Sequence, residues 1–339
     1  MDQPLVSVLI PVYQVEDFIE RCARSVFEQT YQNLECVFVD DGSTDSSIDI
    51  LNQIINEYPS LKDNVHIIHH QENRGLAAAR NTAINSCHGD FVMHVDTDDW
   101  VEKNAVELLV NKQQETDSDI VTGQAIKHHG ESSAPYLSGG WNLEKKELLI
   151  QLLTYKVSTT LWRRLIRKSL YTNNDIRANE AGSGGEDYQV FPRLVYYSHH
   201  VAGIDTYLYH HNQDNVNSYS NNIQSLTLQK QGYVSVRVIS NFFSDKEPYL
   251  QDIVCGLVVK HLFFRMSQNT SWGNKEGYEY FCGEILKTDP TNWHYIKWNN
   301  PVRRFIDTHY RLFMLSKFIC WPYHKSRIIA RKITRKLYD

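Results

Sequence analysis

Short apolar runs alternate with helical patterns over the first 125 residues of the chain. Between the runs, apolar positions recur at helical spacing, as in residues 16–29 and 76–84. The apolar runs that predict buried strands are Leu5–Ile10, Cys36–Val39, Val65–Ile68 and Phe91–Val95. Strands and helices in this alternation predict βαβ units, and therefore an α/β fold with a mainly parallel twisted sheet and flanking helices.

The pattern becomes less regular after this region. Asp119–Ile126 predicts a further strand, residues 128–140 and 173–185 predict loops, and residues 143–155 predict a helix. From about residue 222 the pattern is helical and rich in aromatic residues. We therefore expect an α/β domain over residues 1–220 and a mostly helical C-terminal region over 221–339. Within the domain, the regular pattern of residues 1–125 distinguishes a first half from a second half, residues 126–220.

Charge is distributed unevenly along the 339 residues, whose formal net charge is −5. Residues 301–339 carry ten basic and two acidic residues, whereas the first 300 residues carry a net charge of −13. The near-neutral total argues against a nucleic-acid-binding protein, which is usually strongly basic. At the C-terminus, Ile328, Ile329 and Ile333 share one helical face opposite Arg331 and Arg335. Such a basic amphipathic helix either lies on an anionic membrane surface or docks on its own domain.

The sequence also carries indications of its location. The six cysteines are scattered with no C-x-x-C pair, which is typical of reduced thiols. The N-terminus lacks the basic start of a signal peptide, and no 18-residue stretch is both apolar and uncharged. We expect a cytoplasmic protein, with peripheral attachment to the inner face of the cell membrane if the C-terminal helix binds lipid.

Three acidic clusters stand out as candidate chemistry, and each follows an apolar strand or begins a helix. They are Asp40-Asp41, Asp96-Thr97-Asp98-Asp99 and Glu186-Asp187. Ligands of parallel α/β sheets bind at the carboxyl ends of strands, where paired carboxylates can hold Mg²⁺ or Mn²⁺ together with phosphate oxygens. A turn, a helix cap or a favourable helix dipole would also explain each cluster. The phosphate-binding motifs G-x-x-x-x-G-K-[ST] and G-x-G-x-x-G are missing after the first strand.

Five motifs occur in one order along the first 101 residues: Val6–Tyr13, Val39–Asp45, Asn73–Asn81, Gly89-Asp90 and Val95–Trp100. Together they resemble glycosyltransferase family 2, whose members have the GT-A fold and use nucleotide-sugar donors. The resemblance continues more weakly through Leu161–Leu165, Gly185–Asp187 and Leu208–Asn212.

The resemblance implies a role for individual residues. Asp98 and Asp96 match the family's D-x-D motif, with Asp98 binding the metal directly, Asp96 nearer the ribose, and Asp99 a candidate for either role. Asp187 matches the catalytic base, and Glu186 stands beside it. The remaining implied contacts are Pro11 and Tyr13 with the base and ribose, Asp41 with uracil, Arg80 with the base, and Trp162 with the acceptor.

One position departs from the family pattern. The family often has Arg or Lys shortly after the residue that matches Tyr209, in contact with the diphosphate, but here His210 and His211 occupy this stretch. We expect His211 to hydrogen-bond a phosphate in their place.

These assignments imply an inverting glycosyltransferase that uses Mn²⁺ or Mg²⁺. The donor would be a UDP-linked sugar, and the acceptor a hydroxyl of a glycan or a lipid-linked glycan. Residues 1–125 would then be the nucleotide-binding half of the domain and residues 126–220 the acceptor half. Two alternatives remain. A non-catalytic GT-A scaffold subunit of a glycan-assembly complex would keep the fold without turnover. A sugar-nucleotide nucleotidyltransferase would need a Gly-rich, basic loop where this chain has Val12–Phe18.

Overall fold

The computed structural model describes residues 3–136, 139–215, 218, 224–297 and 299–313. These form two compact units, Met1–Leu250 and Gln251–Asp339. The predicted amphipathic tail, which includes Ile328, Arg331 and Arg335, lies outside the described residues.

The first unit is built on one mixed sheet of nine strands. The strands are β1 (Val6–Val12), β2 (Leu34–Asp40), β3 (Val65–His69), β4 (Phe91–His94), β5 (Trp100–Val101), β6 (Ile120–His129), β7 (Ser132–Pro135), β8 (Arg164–Arg167) and β9 (Val201–Asn212). Their order in the sheet is β3-β2-β1-β4-β8-β6-β9-β5, and β7 pairs with β6. The helices of this unit are α1 (Ile19–Phe27), α2 (Ser47–Glu57), α3 (Leu76–Ser86), α4 (Ala105–Thr116), α5 (Lys145–Leu153), α6 (Ser169–Thr172), α7 (Glu186–Tyr197) and α8 (Leu226–Phe243). The α/β class predicted from the apolar pattern is confirmed.

The first four strands are parallel, with β1 between β2 and β4. Val12 is paired with Asp40 and Leu9 with His94, so the three carboxyl ends lie side by side. Apolar side chains of β1 and β2 are buried against α1, whose Ile19 and Val26 have no exposed surface. This packing fixes the strand ends from which the acidic loops emerge.

The second half of the sheet differs from the predicted pattern. β8 runs antiparallel to both β4 and β6, while β9 is parallel to β6. β8 was not predicted, because Arg164 and Arg167 make this segment look polar. Residues 128–140 were predicted as a loop, but β6 extends to His129 and pairs with Ser132–Pro135 in a hairpin.

The first unit ends later than the predicted boundary near residue 220, because α8 packs against α7. Gln189 Nε2 donates a hydrogen bond to Ser235 Oγ at 3.0 Å, and the rings of Tyr196 and Phe243 meet edge to face with centroids 5.7 Å apart. Residues 226–243 therefore belong with the α/β unit.

The second unit is helical in the part that the structure describes. It contains most of α9 (Pro248–Ser271), then α10 (Lys275–Leu286) and α11 (Pro301–Thr308). The Asn274 side chain caps α10 by accepting a hydrogen bond from Gly277 N at 3.0 Å, and Tyr278 donates to the Asp307 carbonyl at 2.6 Å. Within the described residues, none of the helices combines the length and the apolar character that crossing a bilayer requires.

Candidate active site

The loop after β4 carries the acidic cluster and is tied to the end of β1. Thr97 Oγ1 donates a hydrogen bond to the Pro11 carbonyl at 2.8 Å, and Asp99 N donates to the Asp96 carbonyl at 3.0 Å. This tight turn brings Asp96, Asp98 and Asp99 together at the carboxyl edge of the sheet. The expectation that the acidic loops of β1, β2 and β4 share one edge is thereby confirmed.

Asp98 has the electrostatic environment of a cation ligand. Burial and the neighbouring carboxylates of Asp99 and Asp96 raise its pKa to about 7, although Asn215 Nδ2 donates a hydrogen bond to its Oδ2 at 3.0 Å. A divalent cation would relieve the repulsion among these carboxylates and suits an all-oxygen donor set. Asp98 and Asp96 are thus the residues that fit Mn²⁺ or Mg²⁺.

Asp99 has a different environment from Asp98, and its contact with metal or nucleotide stays a prediction. Its side chain is only 1% exposed. Both oxygens are already engaged: Oδ2 accepts a hydrogen bond from Tyr209 Oη at 2.7 Å, and Oδ1 accepts one from Asn212 N at 2.7 Å. His211 Nδ1 lies 3.2 Å from Oδ1. Asp99 therefore fixes β9 beneath the acidic loop.

Arg80 of α3 connects the acidic loop to the start of α7. Its Nη2 lies 2.7 Å from Asp96 Oδ1 and 4.0 Å from Asp187 Oδ1, and its Nε lies 3.3 Å from Glu186 Oε1. The side chain is 4% exposed and is held among these three carboxylates. The contact of Arg80 with the nucleotide base stays a prediction, and in this structure the guanidinium contacts the two acidic segments.

Asp187 stands in the first turn of α7, in a position that Gly185 makes possible. Gly185 has φ of 145°, a conformation that favours glycine, and turns the chain into the helix. Burial, followed by the neighbouring Glu186, raises the pKa of Asp187, although Arg80 opposes the rise. Its Oδ1 is buried and accepts no hydrogen bond from the described residues. A carboxylate oxygen of raised pKa that lacks a hydrogen-bond donor has the chemistry of a proton acceptor.

Glu186 was expected to stand beside the base as a catalytic residue, and the structure gives it a supporting position instead. It is 6% exposed and its Oε1 pairs with Arg80 Nε. A carboxylate so placed holds Arg80 against the acidic loop, so Glu186 is a positioning residue.

Aromatic rings form a stack behind the acidic loop. Trp162 is 4% exposed and stacks on Tyr209 and His211, with ring centroids 4.6 Å and 5.3 Å away. The contact of Trp162 with the acceptor stays a prediction, and in this structure the ring is enclosed by its neighbours. Although burial alone would lower the pKa of His211, the hydrogen bond and charge of Asp99 raise it. His211 is therefore oriented by Asp99 and by the Trp162 ring.

The opposite side of the site contains the residues expected to bind the base. Tyr13 is 45% exposed just beyond β1, so its ring is free to stack on a ligand. Asp41 is buried, and its carboxylate accepts hydrogen bonds from Arg74 N at 2.9 Å and Gly75 N at 2.7 Å. His70 Nδ1 lies 2.6 Å from the same carboxylate. Asp41 thus orders the loop before α3. Its contact with the base stays a prediction.

Two further residues of the site were not predicted. Asn215 binds Asp98 from a position 117 residues further along the chain, and no local pattern marks it. Arg21 lies with its guanidinium carbon 3.6 Å from the Trp100 ring centroid, and its Nη2 donates to the Asp98 carbonyl at 3.4 Å. The contacts of both residues arise only in the tertiary fold, so no local sequence pattern indicates them.

Comparisons with known proteins agree with this geometry. A family model described as Glycosyl transferase family 2 matches residues 7–171. Glycosyltransferase GlyA of Streptococcus pneumoniae is 43% identical over 118 residues, which are 35% of this chain and 16% of GlyA. Poly(ribitol-phosphate) beta-glucosyltransferase of Bacillus spizizenii is 34% identical over 195 residues, which are 56% of this chain and 29% of that enzyme. The matches therefore span less than a third of these two relatives' length.

The fold is also found among solved structures. S. aureus TarS 1-349 in complex with UDP-GlcNAc superposes with a TM-score of 0.66 at 20% sequence identity, covering 84% of this chain and 81% of that one. This similarity confirms the GT-A fold, including the sheet whose carboxyl edge holds the acidic residues. Residues 7–171 match glycosyltransferase family 2, and the similar relatives and the GT-A fold agree with that match.

Proposed function

We propose that this chain is an inverting, metal-dependent glycosyltransferase that moves a sugar from a UDP-linked donor to a hydroxyl of a glycan or a lipid-linked glycan. The observation that carries the proposal is the position of Arg80, which contacts Asp96 of the acidic loop and lies 4.0 Å from Asp187 at the start of α7. Arg80 therefore links the acidic loop, which would bind the donor, to the carboxylate that would act as the base.

The leaving group of this reaction is a nucleoside diphosphate, on which negative charge grows as the bond to the sugar breaks. A bound Mn²⁺ or Mg²⁺ supplies Lewis-acid stabilisation of that charge. Asp98 and Asp96 would hold the ion, since burial and the neighbouring carboxylates of Asp99 and Asp96 raise the pKa of Asp98, and a bound cation would offset this repulsion. His211, whose Nδ1 lies 3.2 Å from Asp99 Oδ1, would donate a hydrogen bond from Nε2 to a phosphate oxygen of the diphosphate.

The acceptor hydroxyl must lose its proton as its oxygen attacks the anomeric carbon. Asp187 suits this step because its Oδ1 is without a hydrogen bond from the described residues and its pKa is raised. A single base of this kind supports inversion. The paired Glu186 is bound to Arg80, so it offers no second nucleophile for a double displacement.

Support for a UDP-linked donor and a glycan acceptor is comparative. The TarS structure holds UDP-GlcNAc, and the Bacillus spizizenii relative is named for glucosyl transfer to poly(ribitol-phosphate). In this proposal Tyr13 and Pro11 pack on the base and ribose, and Asp41 accepts a hydrogen bond from uracil. The basic tail would bring the chain to an anionic membrane surface where lipid-linked acceptors reside.

The test is UDP release from a panel of UDP-sugars, with the protein first freed of metal by EDTA and then supplied with Mn²⁺ or Mg²⁺. We expect release only with added metal, and loss of that release in Asp98→Asn. The matched control is Asp117→Asn, the same chemical change at a carboxylate that is 94% exposed. Inertness toward every UDP-sugar, with UDP still bound, would instead support the scaffold alternative.

A further inference from the structure

Three side chains that commonly bind metals meet at the amino-terminal ends of β2, β3 and β4. Glu35 is the second residue of β2, His66 is the second residue of β3, and His88 lies three residues before β4. The acidic loops of the candidate active site are at the other ends of these strands. Six residues of extended chain separate Glu35 from Asp41, which is about 20 Å. The cluster is therefore separate from that site.

The three donor atoms are spaced as metal ligands are. Glu35 Oε2 lies 3.1 Å from His88 Nδ1 and 3.7 Å from His66 Nε2, and all three atoms are within 4.8 Å of one another. Ligand atoms around a tetrahedral Zn²⁺ with bonds of about 2.0–2.1 Å stand about 3.3 Å apart. A small rotation of the two imidazoles closes the remaining difference, and both are free to turn because their side chains are 43% and 73% exposed.

Glu35 is already oriented for coordination. Its Oε1 accepts hydrogen bonds from Ser7 Oγ at 2.5 Å, from His88 N at 2.5 Å and from Gly89 N at 3.2 Å. These contacts leave Oε2 facing the two imidazoles. Hydrogen bonds that fix a ligating carboxylate in this way are a regular part of metal sites.

We propose that Glu35, His66 and His88 form a second metal site, which binds Zn²⁺ or a similar first-row transition metal with water in the fourth position. Two imidazoles and one carboxylate favour such ions, whereas the all-oxygen set of Asp96 and Asp98 favours Mn²⁺ or Mg²⁺. Binding would join β2, β3 and the loop before β4, so it would stabilise the amino-terminal edge of the sheet rather than take part in sugar transfer.

The test is isothermal titration of the EDTA-treated full-length protein with Zn²⁺ alone, without nucleotide. We expect one saturable site that is weakened at least tenfold in His66→Ala and in His88→Ala. It should persist in His199→Ala, which removes an exposed histidine elsewhere, and in Asp98→Asn, which alters the other metal site. Zn²⁺ should also raise the melting temperature of the wild type but not that of His88→Ala.

Because both histidines are exposed, we expect the alanine variants to fold like the wild type, and circular dichroism checks this. Zn²⁺ affinity that is unchanged in His66→Ala and His88→Ala would overturn the proposal. So would the lack of saturable binding at micromolar Zn²⁺, which would leave Glu35 and His88 as an ordinary ion pair. Neither result depends on whether the chain transfers sugars.

Discussion

Arg80 is a buried cation whose three carboxylate neighbours come from two distant segments of the chain. Removing one partner from a buried charge network leaves the others uncompensated, which costs about 3–5 kcal/mol. We therefore expect Arg80→Met to lower the free energy of unfolding by about that amount in urea denaturation and to abolish sugar transfer.

A second arginine, which lies just before α3, provides the control for this prediction. Arg74 pairs with Glu180 at 3.0 Å, but both side chains are nearly half exposed. Exposed pairs contribute about 0–1 kcal/mol, so Arg74→Met should be close to the wild type. Equal stability of the two variants would show that the network around Arg80 does not hold the site together.

Asp187 is the residue on which the proposed proton transfer depends. Asp187→Asn keeps the size of the side chain but removes its basicity, so we expect transfer to fall by roughly 10²–10⁴-fold. UDP affinity, measured by titration calorimetry with Mn²⁺ present, should stay close to the wild-type value. Turnover at the wild-type rate would exclude Asp187 as the base, and a parallel loss of UDP affinity would assign it to donor binding.

At the scale of the element, Asp119 fastens three strands at one end of the sheet. Its Oδ1 lies 2.8 Å from Arg167 Nε of β8, and its Oδ2 accepts a hydrogen bond from His199 N before β9. Burial would raise the pKa of this carboxyl group, but the His199 and Arg167 contacts outweigh it and lower the pKa. The ionised form therefore stabilises the native state.

This shift predicts how stability depends on pH. The contribution of Asp119 is present above its ordinary pKa of 3.8 and is lost as pH falls through the lower native pKa. In urea denaturation from pH 7 to pH 2, Asp119→Asn should be less stable at pH 7 and should show a shallower acid limb. Asp117→Asn, which alters an exposed neighbour, should follow the wild type. An acid limb as steep as that of the wild type would contradict the assignment.

Strands with simple apolar patterns were predictable, and those with buried charge were not. β1 and β4 are apolar runs, so the sequence predicts both of them as buried strands. Arg164 in β8 is buried instead, with its guanidinium carbon 3.9 Å from the Phe191 ring centroid and its Nη1 donating to Thr122 Oγ1 at 2.6 Å. Arg164, Thr122 and Phe191 are far apart in the sequence and meet only in the folded chain. The periodicity of apolar residues therefore does not indicate that they are partners.

The same limit applies to the site. The acidic clusters could be found because they follow apolar strands, and their motifs resemble a family. The different tasks of Asp98 and Asp99 could not be predicted, since they depend on which carboxylate turns toward Tyr209 and Asn212. Adjacent residues with the same chemistry are distinguished by burial, which the local sequence does not specify.

At the scale of the whole molecule, charge is separated between an acidic body and a basic terminus. We expect the full-length chain to sediment with vesicles that contain anionic lipid and to do so less after deletion of residues 322–339. Each basic residue near such a surface contributes about 1 kcal/mol, an attraction that salt weakens. Vesicles of zwitterionic lipid are the control. Equal sedimentation of the two proteins would remove the membrane from the proposed function.

The pairing of Asp99 with β9 has a consequence for the order in which the protein is built. β1 to β4 come from the first 94 residues, so a nascent chain can align them while the ribosome is still at work. Tyr209 and Asn212 are synthesised more than a hundred residues later, and until they arrive the Asp99 carboxylate lacks the two donors that satisfy it in the finished sheet. The acidic edge of the sheet can therefore reach its final hydrogen bonding only after β9 has been synthesised.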